Sequence, residues 1–382
     1  MCPMAALRRS FVKDRKTEVF LSGCLVGYLA ETADHRVAFA YAEPWLEEGF
    51  PISPFSLPLE PRVFVPSSWT FRGLWGVFAD SLPDAWGQLL VDRLMISKGI
   101  SLDTIMPLDR LSIVGKSGMG ALEYVPAWET PSVADLNDLD QLAQDCNAVL
   151  NHESISDLDS LFHAAGSSGG ARPKVMTEDW IIKFPASRDQ TSVGKMEKEY
   201  MDCAVLCGID VPETTLFPSR LCEGYFGIRR FDRKEGRKLH MLSAAAILEA
   251  DWRTASLDYH SLLKLANILS RGRKEEVEQL YRRMCFNVFA HNRDDHLKNF
   301  TWIYDESQDF WRPSPAYDLT WSTTYFGEHT LTVNGNGQDP GIDELVAVGK
   351  QAGLNVKRCR EIARKIQEIT MPLEMKYRNI RS

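Results

Sequence analysis

The sequence lacks any long apolar stretch. No segment approaches the roughly 20 consecutive apolar residues that a membrane-spanning helix requires. Arg8 and Arg9 stand near the N-terminus, but no apolar run follows them, so the pattern of a secretory signal peptide is missing. We therefore predict a cytoplasmic protein with no membrane partner.

Paired cysteines and an excess of positive charge are also missing. The eight cysteines are scattered and form no CxxC motif, which argues against a disulfide framework or a structural zinc site. The 44 lysines and arginines are outnumbered by 52 acidic residues, which gives a formal net charge of −8. Because a nucleic-acid clamp needs a basic surface, this charge excludes such a role for the whole molecule and leaves only a local basic face open.

What is present is the composition of a globular protein. With 382 residues, of which 44% are hydrophobic and 25% charged, the chain is long enough for two or three domains. Strand-like alternation over residues 17–42 predicts a small antiparallel sheet, and helical spacing over residues 275–290 predicts a core helix. We predict an α+β fold in three segments, residues 1–130, 150–235 and 236–382.

A glycine-rich loop and a lysine stand out in the middle of the chain. The segment SSGGARPK (Ser167–Lys174) precedes a predicted hairpin whose second strand contains Lys183. Glycine lets backbone amides approach phosphate closely, and a lysine on a neighbouring strand supplies a fixed positive charge. Glycine and serine runs are also common in ordinary flexible loops, so this segment alone leaves both interpretations open.

A predicted amphipathic helix over residues 193–207 follows the Lys183 strand. In protein kinases the helix after the strand lysine carries a glutamate that pairs with it. Glu197 and Glu199 are both candidates, and Glu197 is preferred. The alternative is that each is a solvated charge on the helix surface.

Residues 291–318 combine carboxylate and amide side chains in an informative order. Asn299 follows Asp294 by five residues, and Asp318 follows one predicted β-hairpin. A protein-kinase active site needs one carboxylate for the attacking hydroxyl, and an amide and a second carboxylate to hold Mg²⁺ against the ATP phosphates. The sequence therefore predicts a phosphotransferase, and the spacing to Asn299 selects Asp294 over Asp295 as its base.

Other interpretations of the polar motifs remain. His291, Asp294, Asp295 and His296 contain the ligand types of a hydrolase metal site. The same segment also fits a capped helix end. Gly115-Lys116-Ser117 resembles part of a P-loop, but Arg110 stands where that pattern needs glycine, so a glycine turn before a strand is favoured.

Seven motifs spread over nearly the whole chain form a distinctive set. They are SSGGARPK (Ser167–Lys174), IIKFP (Ile181–Pro185), RRFDR (Arg229–Arg233), NRDDHLKN (Asn292–Asn299), PAYD (Pro315–Asp318), GVFADSLPDAWG (Gly76–Gly87) and VGKSGMGAL (Val114–Leu122). In these motifs the sequence resembles the HipA family of bacterial toxin kinases. The resemblance implies a protein-kinase-like bilobal fold, with a β-rich N-lobe and a helical C-lobe, and an additional N-terminal α+β subdomain.

Carried over residue by residue, the resemblance implies Asp294 as catalytic base and Asn299 and Asp318 as Mg²⁺ ligands. It also implies that His296 and Lys298 belong to the catalytic loop. The implied nucleotide-binding residues are Gly169, Gly170, Ala171, Lys174, Lys183, Arg229 and Phe231. Inhibitory autophosphorylation is implied at Ser167 by motif position, with neighbouring Ser168 as the alternative.

The resemblance further implies a serine/threonine kinase that acts as the toxin of a type II toxin–antitoxin system. Its substrate would be a protein serine, in known relatives on an aminoacyl-tRNA synthetase. Its partner would be a HipB-like helix-turn-helix antitoxin that carries the contact with DNA. Two other functions stay open, a catalytically silent pseudokinase that scaffolds the antitoxin and a small-molecule kinase. The complete set of Lys183, Asp294, Asn299 and Asp318 favours an active kinase.

Overall fold

A computed structural model describes residues 16–128, 138–166, 169–187, 189–254, 257–324 and 327–381. The chain divides into two compact units. The first contains the residues up to Thr177 together with Asp232–Asp251, and the second contains Glu178–Phe231 and the residues from Trp252 onward. The boundaries of these two units differ from those of the three predicted segments. The three segments remain a prediction of the domain organisation.

The first unit is built on a five-stranded antiparallel sheet in the order β4-β3-β2-β1-β5. Its inward residues, such as Val19, Leu29 and Phe39, are fully buried, as the alternating pattern predicts. Gly27 permits close strand packing, since a Cβ there would lie 2.3 Å from the Ala40 carbonyl oxygen. The strands are β1 (Lys16–Leu21), β2 (Cys24–Glu31), β3 (Val37–Tyr41), β4 (Val63–Phe64) and β5 (Leu122–Val125).

Helices and short strands complete the first unit. The predicted glycine turn precedes β5, with positive φ at Gly115 and Gly120. The helices are α1 (Glu43–Glu48), α2 (Gly76–Ala79), α3 (Ala85–Ser97), α4 (Pro107–Val114), α5 (Leu139–Leu150), α6 (Leu158–Ala165) and, later in the chain, α8 (Ala244–Ile247). The remaining strands are β6 (Lys174–Met176), β10 (Arg233–Lys234), β11 (Arg237–Lys238) and β12 (Met241–Ser243).

The second unit combines a small antiparallel sheet with a helical core. Strand β9 (Tyr225–Arg229) lies between β7 (Trp180–Lys183) and β8 (Thr214–Phe217). The helices are α7 (Val193–Leu206), α9 (Tyr259–Leu269), α10 (Lys274–Phe289), α11 (Ile342–Gln351) and α12 (Val356–Arg381). A hairpin of β13 (Thr301–Asp305) and β14 (Phe310–Pro313) follows α10, as predicted.

Helix α10 positions the polar segment that follows it. Its stripe of Val277, Leu280, Tyr281 and Met284 is at most 1% exposed, which confirms the predicted core helix. The helix ends at Phe289, and the chain turns at His291 with a φ of 57°. None of the described helices is both long and apolar enough to cross a membrane.

Candidate active site

Lys183 lies at the end of β7 between two carboxylates of the same unit. Its Nζ atom is 2.5 Å from Glu197 Oε1 and also contacts Asp318 Oδ1. Burial alone lowers the pKa of Lys183, but Asp318 and Glu197 outweigh it and raise the pKa above its usual value. The ammonium group is therefore charged and fixed at neutral pH.

Helix α7 determines which glutamate reaches Lys183. Glu197 shares the buried side of the helix with Val193, Met196 and Tyr200. Glu199 instead accepts a hydrogen bond from the Tyr377 hydroxyl at 2.8 Å and pairs with a lysine of α12. The geometry thus brings the preferred Glu197, and not Glu199, to the strand lysine.

Asp294 and Asn299 are joined through the backbone. Asn299 Nδ2 donates to the Asp294 carbonyl oxygen at 2.6 Å. Because that partner is an acceptor, the amide oxygen of Asn299 is the atom left to act as a ligand. The Asp294 side chain is 63% exposed, and His296 Nε2 lies 3.8 Å from its Oδ1 atom. A carboxylate and an amide oxygen are thus available at one loop.

The neighbouring Asp295 has a different environment, because it is 1% exposed. Its carboxylate accepts from the Tyr259 hydroxyl at 2.7 Å and from the Thr330 amide at 2.8 Å, and His329 Nδ1 lies 3.1 Å away. These contacts make Asp295 an anchor of the loop. The structure separates the roles of the two adjacent aspartates by burial.

The hydrolase-type metal site does not form. Asp295 is held by its buried donors, and the His291 ring stacks on Trp321 with centroids 4.1 Å apart. Burial, reinforced by Arg293, lowers the pKa of His291 to about 4. Among the residues that the structure describes, no group of three or more His, Cys, Asp or Glu side chains is arranged to hold a metal ion.

Tyr317 connects the Asp318 segment to the catalytic loop. Its hydroxyl donates to the Lys298 carbonyl oxygen at 2.6 Å and lies 2.6 Å from Thr301 Oγ1. His296 packs against Trp252 with ring centroids 4.5 Å apart. Asp318 itself has a φ of 54°, a left-handed conformation that aspartate adopts more readily than most residues.

The predicted adenine-contacting residues lie at the end of β9. The Arg229 guanidinium contacts Glu213 at 3.1 Å, and the Arg229 amide donates to the Glu213 carbonyl oxygen at 2.8 Å. The Phe231 ring stacks on Tyr317 with centroids 5.3 Å apart. The end of β9 therefore reaches the residue before Asp318.

The glycine-rich loop belongs to the first unit and is held by the start of α3. The Gly170 amide donates to Asp84 Oδ2 at 3.1 Å, and the Trp86 amide donates to the Gly170 carbonyl oxygen at 3.1 Å. Trp86 Nε1 donates to the Lys174 carbonyl oxygen at 3.0 Å, while Lys174 Nζ contacts the Gly169 carbonyl oxygen. Ala171 is exposed, and Ser167 and Ser168 lie outside the described residues.

Sequence reasoning missed the residues that hold this site together. Tyr259 and Asn287 join the Asp295 network, since Asn287 Nδ2 donates to the Tyr259 hydroxyl at 2.9 Å. Their signal was available as polar groups on the apolar sides of α9 and α10, where burial requires hydrogen-bond partners. Tyr317, inside the PAYD motif, carried no such signal.

Two family profiles match the chain. The HipA N-terminal domain matches residues 17–125 and the HipA-like C-terminal domain matches residues 166–372. A protein of Sinorhizobium fredii named "Putative kinase Y4dM" is 29% identical over 209 residues, which span 50% of this chain and 50% of that relative.

The fold is also found in a solved structure. HipA of Shewanella oneidensis MR-1, in a complex with HipB and operator DNA, superposes with a TM-score of 0.66 at 17% identity, over 94% of this chain and 91% of that one. This likeness confirms the predicted mixed α and β, protein-kinase-like fold. The C-terminal profile alone covers more than half of the sequence. The chain belongs to the HipA family, as its motifs predicted.

Proposed function

We propose that this protein is an ATP-dependent serine/threonine protein kinase and the toxin component of a type II toxin–antitoxin system. The observation that carries the proposal is the contact of Lys183 with both Glu197 and Asp318, in the same unit as the Asp294–Asn299 loop. Protein kinases use this combination of groups for phosphoryl transfer. Family membership and the named relative support the same activity.

The residues present fit ATP and Mg²⁺. Magnesium prefers oxygen ligands such as the Asp318 carboxylate and the Asn299 amide oxygen, which receives no hydrogen bond from the residues that the structure describes. When bound, Mg²⁺ would neutralise charge on the phosphate oxygens. Lys183 would hold the α- and β-phosphates, and the backbone near Arg229–Phe231 would contact the adenine.

Asp294 is the proposed base. Its exposed carboxylate orients the attacking serine hydroxyl and accepts its proton. His296 and Lys298 position this loop or contact phosphate, while the buried Asp295 anchors it. The proton therefore moves to the more accessible of the two adjacent aspartates.

The proposed partners follow from family membership. A HipB-like helix-turn-helix antitoxin would bind the kinase and carry the contact with DNA. The solved complex of the Shewanella protein, which contains HipB and operator DNA, supports such a partner. A net charge of −8 is consistent with leaving DNA contact to a partner. The proposed substrate is a protein serine, with an aminoacyl-tRNA synthetase as the first candidate, in the cytoplasm.

Autophosphorylation of the glycine-rich loop at Ser167 or Ser168 is part of the proposal. A phosphate would add about two negative charges to a loop suited to bind phosphate, and electrostatic repulsion of the nucleotide would lower activity. Gly170 and Lys174 lie in this loop, so the modification would change the local charge close to both.

The experiment is to incubate the protein with labelled ATP and Mg²⁺, alone and in a bacterial lysate, and to locate phosphate by mass spectrometry. Wild type is expected to label the Gly166–Lys174 peptide and a lysate protein, whereas Asp294→Asn labels neither. A protein that binds ATP without labelling any protein would indicate the silent scaffold. Label found only on a small molecule would indicate a small-molecule kinase.

A further inference from the structure

Ser322 joins two segments of the proposed active site. It lies four residues after Asp318 and forms a parallel backbone bridge with Asn292, at the start of the catalytic loop. The Ser322 amide donates to the His291 carbonyl oxygen at 3.2 Å. The segment of a proposed Mg²⁺ ligand and the loop of the proposed base therefore run side by side here.

The Ser322 hydroxyl uses its full hydrogen-bonding capacity. Its oxygen accepts from the Arg293 amide at 2.9 Å and from the Asp294 amide at 3.0 Å. It donates to Asn292 Oδ1 at 3.0 Å. A hydroxyl has one donor and two acceptor positions, so one side chain holds two consecutive backbone amides and an amide side chain.

The Asn292 partner is itself fixed. It is 2% exposed, and its Nδ2 atom donates to Asn287 Oδ1 at 3.0 Å. Asn287 belongs to the buried helix α10, so the direction of the Ser322 hydroxyl hydrogen is determined by the core. This leaves both acceptor positions of the oxygen for the two amides.

The Asp294 peptide is thus held at both of its polar groups. Ser322 Oγ accepts a hydrogen bond from the Asp294 amide, and Asn299 Nδ2 donates to the Asp294 carbonyl oxygen. Residues 291–296 belong to no helix or strand, so no regular backbone ladder supplies these bonds. These two side chains therefore hold the backbone from which the exposed Asp294 carboxylate projects.

We propose that Ser322 is a positioning residue that fixes the backbone of Asp294 for phosphoryl transfer. It acts through the backbone of Asp294. The inference rests on the proposed kinase function for its kinetic consequence. The contact itself is independent of that function, because it concerns the Arg293 and Asp294 amides.

The test compares Ser322→Ala with Ser322→Thr, which keeps a hydroxyl, and with Ser307→Ala as a control. Ser307 is an exposed serine in the β13–β14 turn whose hydroxyl contacts Asp305 at 2.6 Å. Amide hydrogen exchange of Arg293 and Asp294, measured without nucleotide, is expected to accelerate in Ser322→Ala and to stay near wild type in the other two variants. Unchanged exchange in Ser322→Ala would overturn the inference.

The kinetic measurement adds a second criterion. Since misplacement of a catalytic group by about 1 Å can cost 10²-fold, kcat in Ser322→Ala is expected to fall about 10- to 100-fold with little change in KM for ATP. Ser322→Thr should retain most of the wild-type kcat. A parallel loss of kcat, ATP binding and thermal stability that threonine does not restore would indicate a merely structural role. If wild type transfers no phosphate, the proposed function fails. The hydrogen-exchange result would still show whether Ser322 holds the Arg293 and Asp294 amides.

Discussion

At the scale of single residues, the site depends on how buried charges are paired. Lys183 and Glu197 have side chains only 13% and 5% exposed, and their contact is 2.5 Å. Burial alone would favour the neutral form of Lys183. Together with Asp318 they keep one positive charge fixed at the end of β7.

The Glu197 pairing gives the first prediction. Glu197→Gln removes one of the two charges that hold Lys183, and a hydrogen bond between charged groups contributes about 1.5–3 kcal/mol. Phosphotransfer is therefore expected to fall about 10- to 100-fold. Glu199→Gln, two residues along the helix, is the matched control and should stay within about twofold. Equal losses in a steady-state kinase assay would contradict the assignment.

Glu249 gives a prediction about pH. Burial raises its pKa to about 7, although contacts with Ser56 and the Gly76 amide act in the opposite direction. Since its ordinary pKa is near 4.5, the folded state retains the proton longer than the unfolded state. Stability from this group is therefore present below pH 4.5 and is lost as pH rises through about 7, by roughly 3 kcal/mol.

Glu249→Gln stays neutral and can still accept from the Gly76 amide. Denaturant unfolding at pH 4 and pH 8 is expected to show equal stability near pH 4 and a more stable variant at pH 8. Glu48→Gln, on an exposed residue of α1, is the control and should follow wild type at both pH values. A constant difference between Glu249→Gln and wild type across this range would argue against the raised pKa.

At the scale of elements, the start of α3 and the glycine-rich loop satisfy each other's backbone groups. Helix N-termini leave amides without intrahelical partners. Here the Trp86 amide donates to the Gly170 carbonyl oxygen, and the Gly170 amide donates to the Asp84 carboxylate. The loop conformation thus depends on a helix more than 80 residues earlier in the sequence.

Trp86→Phe tests this dependence. Phenylalanine retains most of the packing but loses the Nε1 donor to the Lys174 carbonyl oxygen, whose bond is 3.0 Å long. An unsatisfied buried acceptor costs about 1–3 kcal/mol, so amide exchange over residues 170–176 is expected to accelerate. Trp45→Phe removes a similar bond to Phe50 elsewhere in the unit and should leave the loop unchanged. Faster exchange of these residues in Trp45→Phe but not in Trp86→Phe would show that Trp86 does not hold the glycine-rich loop.

Periodicity predicted the elements that are locally encoded. The antiparallel opening, the Lys183 strand, α7, α10 and the β13–β14 hairpin all follow from apolar spacing and turn residues. Pro83 and Asp84 precede α3, which begins at Ala85. Helix α11 was not predicted, although Leu345, Val346 and Val348 form its buried side.

The site could be predicted only where residue types are chemically distinctive. Motif order predicted Lys183, Asp294, Asn299 and Asp318 as a set. The buried state of Asp295 and the choice between Glu197 and Glu199 required the packing of distant helices. The hydroxyl of Ser322 carried no signal, since serine is common in loops and its partners precede it by about 30 residues.

At the scale of the whole molecule, ligand binding should be visible as stabilisation. A ligand present at 100 times its Kd stabilises the folded state by about 2.7 kcal/mol. ATP with Mg²⁺ is therefore expected to raise Tm in wild type more than ATP alone. In Asp318→Asn the increment due to Mg²⁺ should disappear.

Asp343→Asn is the control for this shift. Asp343 is 84% exposed and pairs with Arg360 on the surface, so the variant changes charge by the same amount as Asp318→Asn. It should retain the full increment in a thermal-shift assay. Loss of the increment in Asp343→Asn, or its persistence in Asp318→Asn, would argue against Asp318 as the ligand.

The most direct test of the central claim is to measure ATP affinity and the rate of phosphate transfer side by side in wild type and Asp294→Asn. A general base contributes about 10²- to 10⁴-fold, so the transfer rate should fall by that factor while ATP affinity stays close to wild type. An unchanged transfer rate in Asp294→Asn, or a wild-type protein that binds ATP and transfers no phosphate, would contradict a kinase built on Asp294.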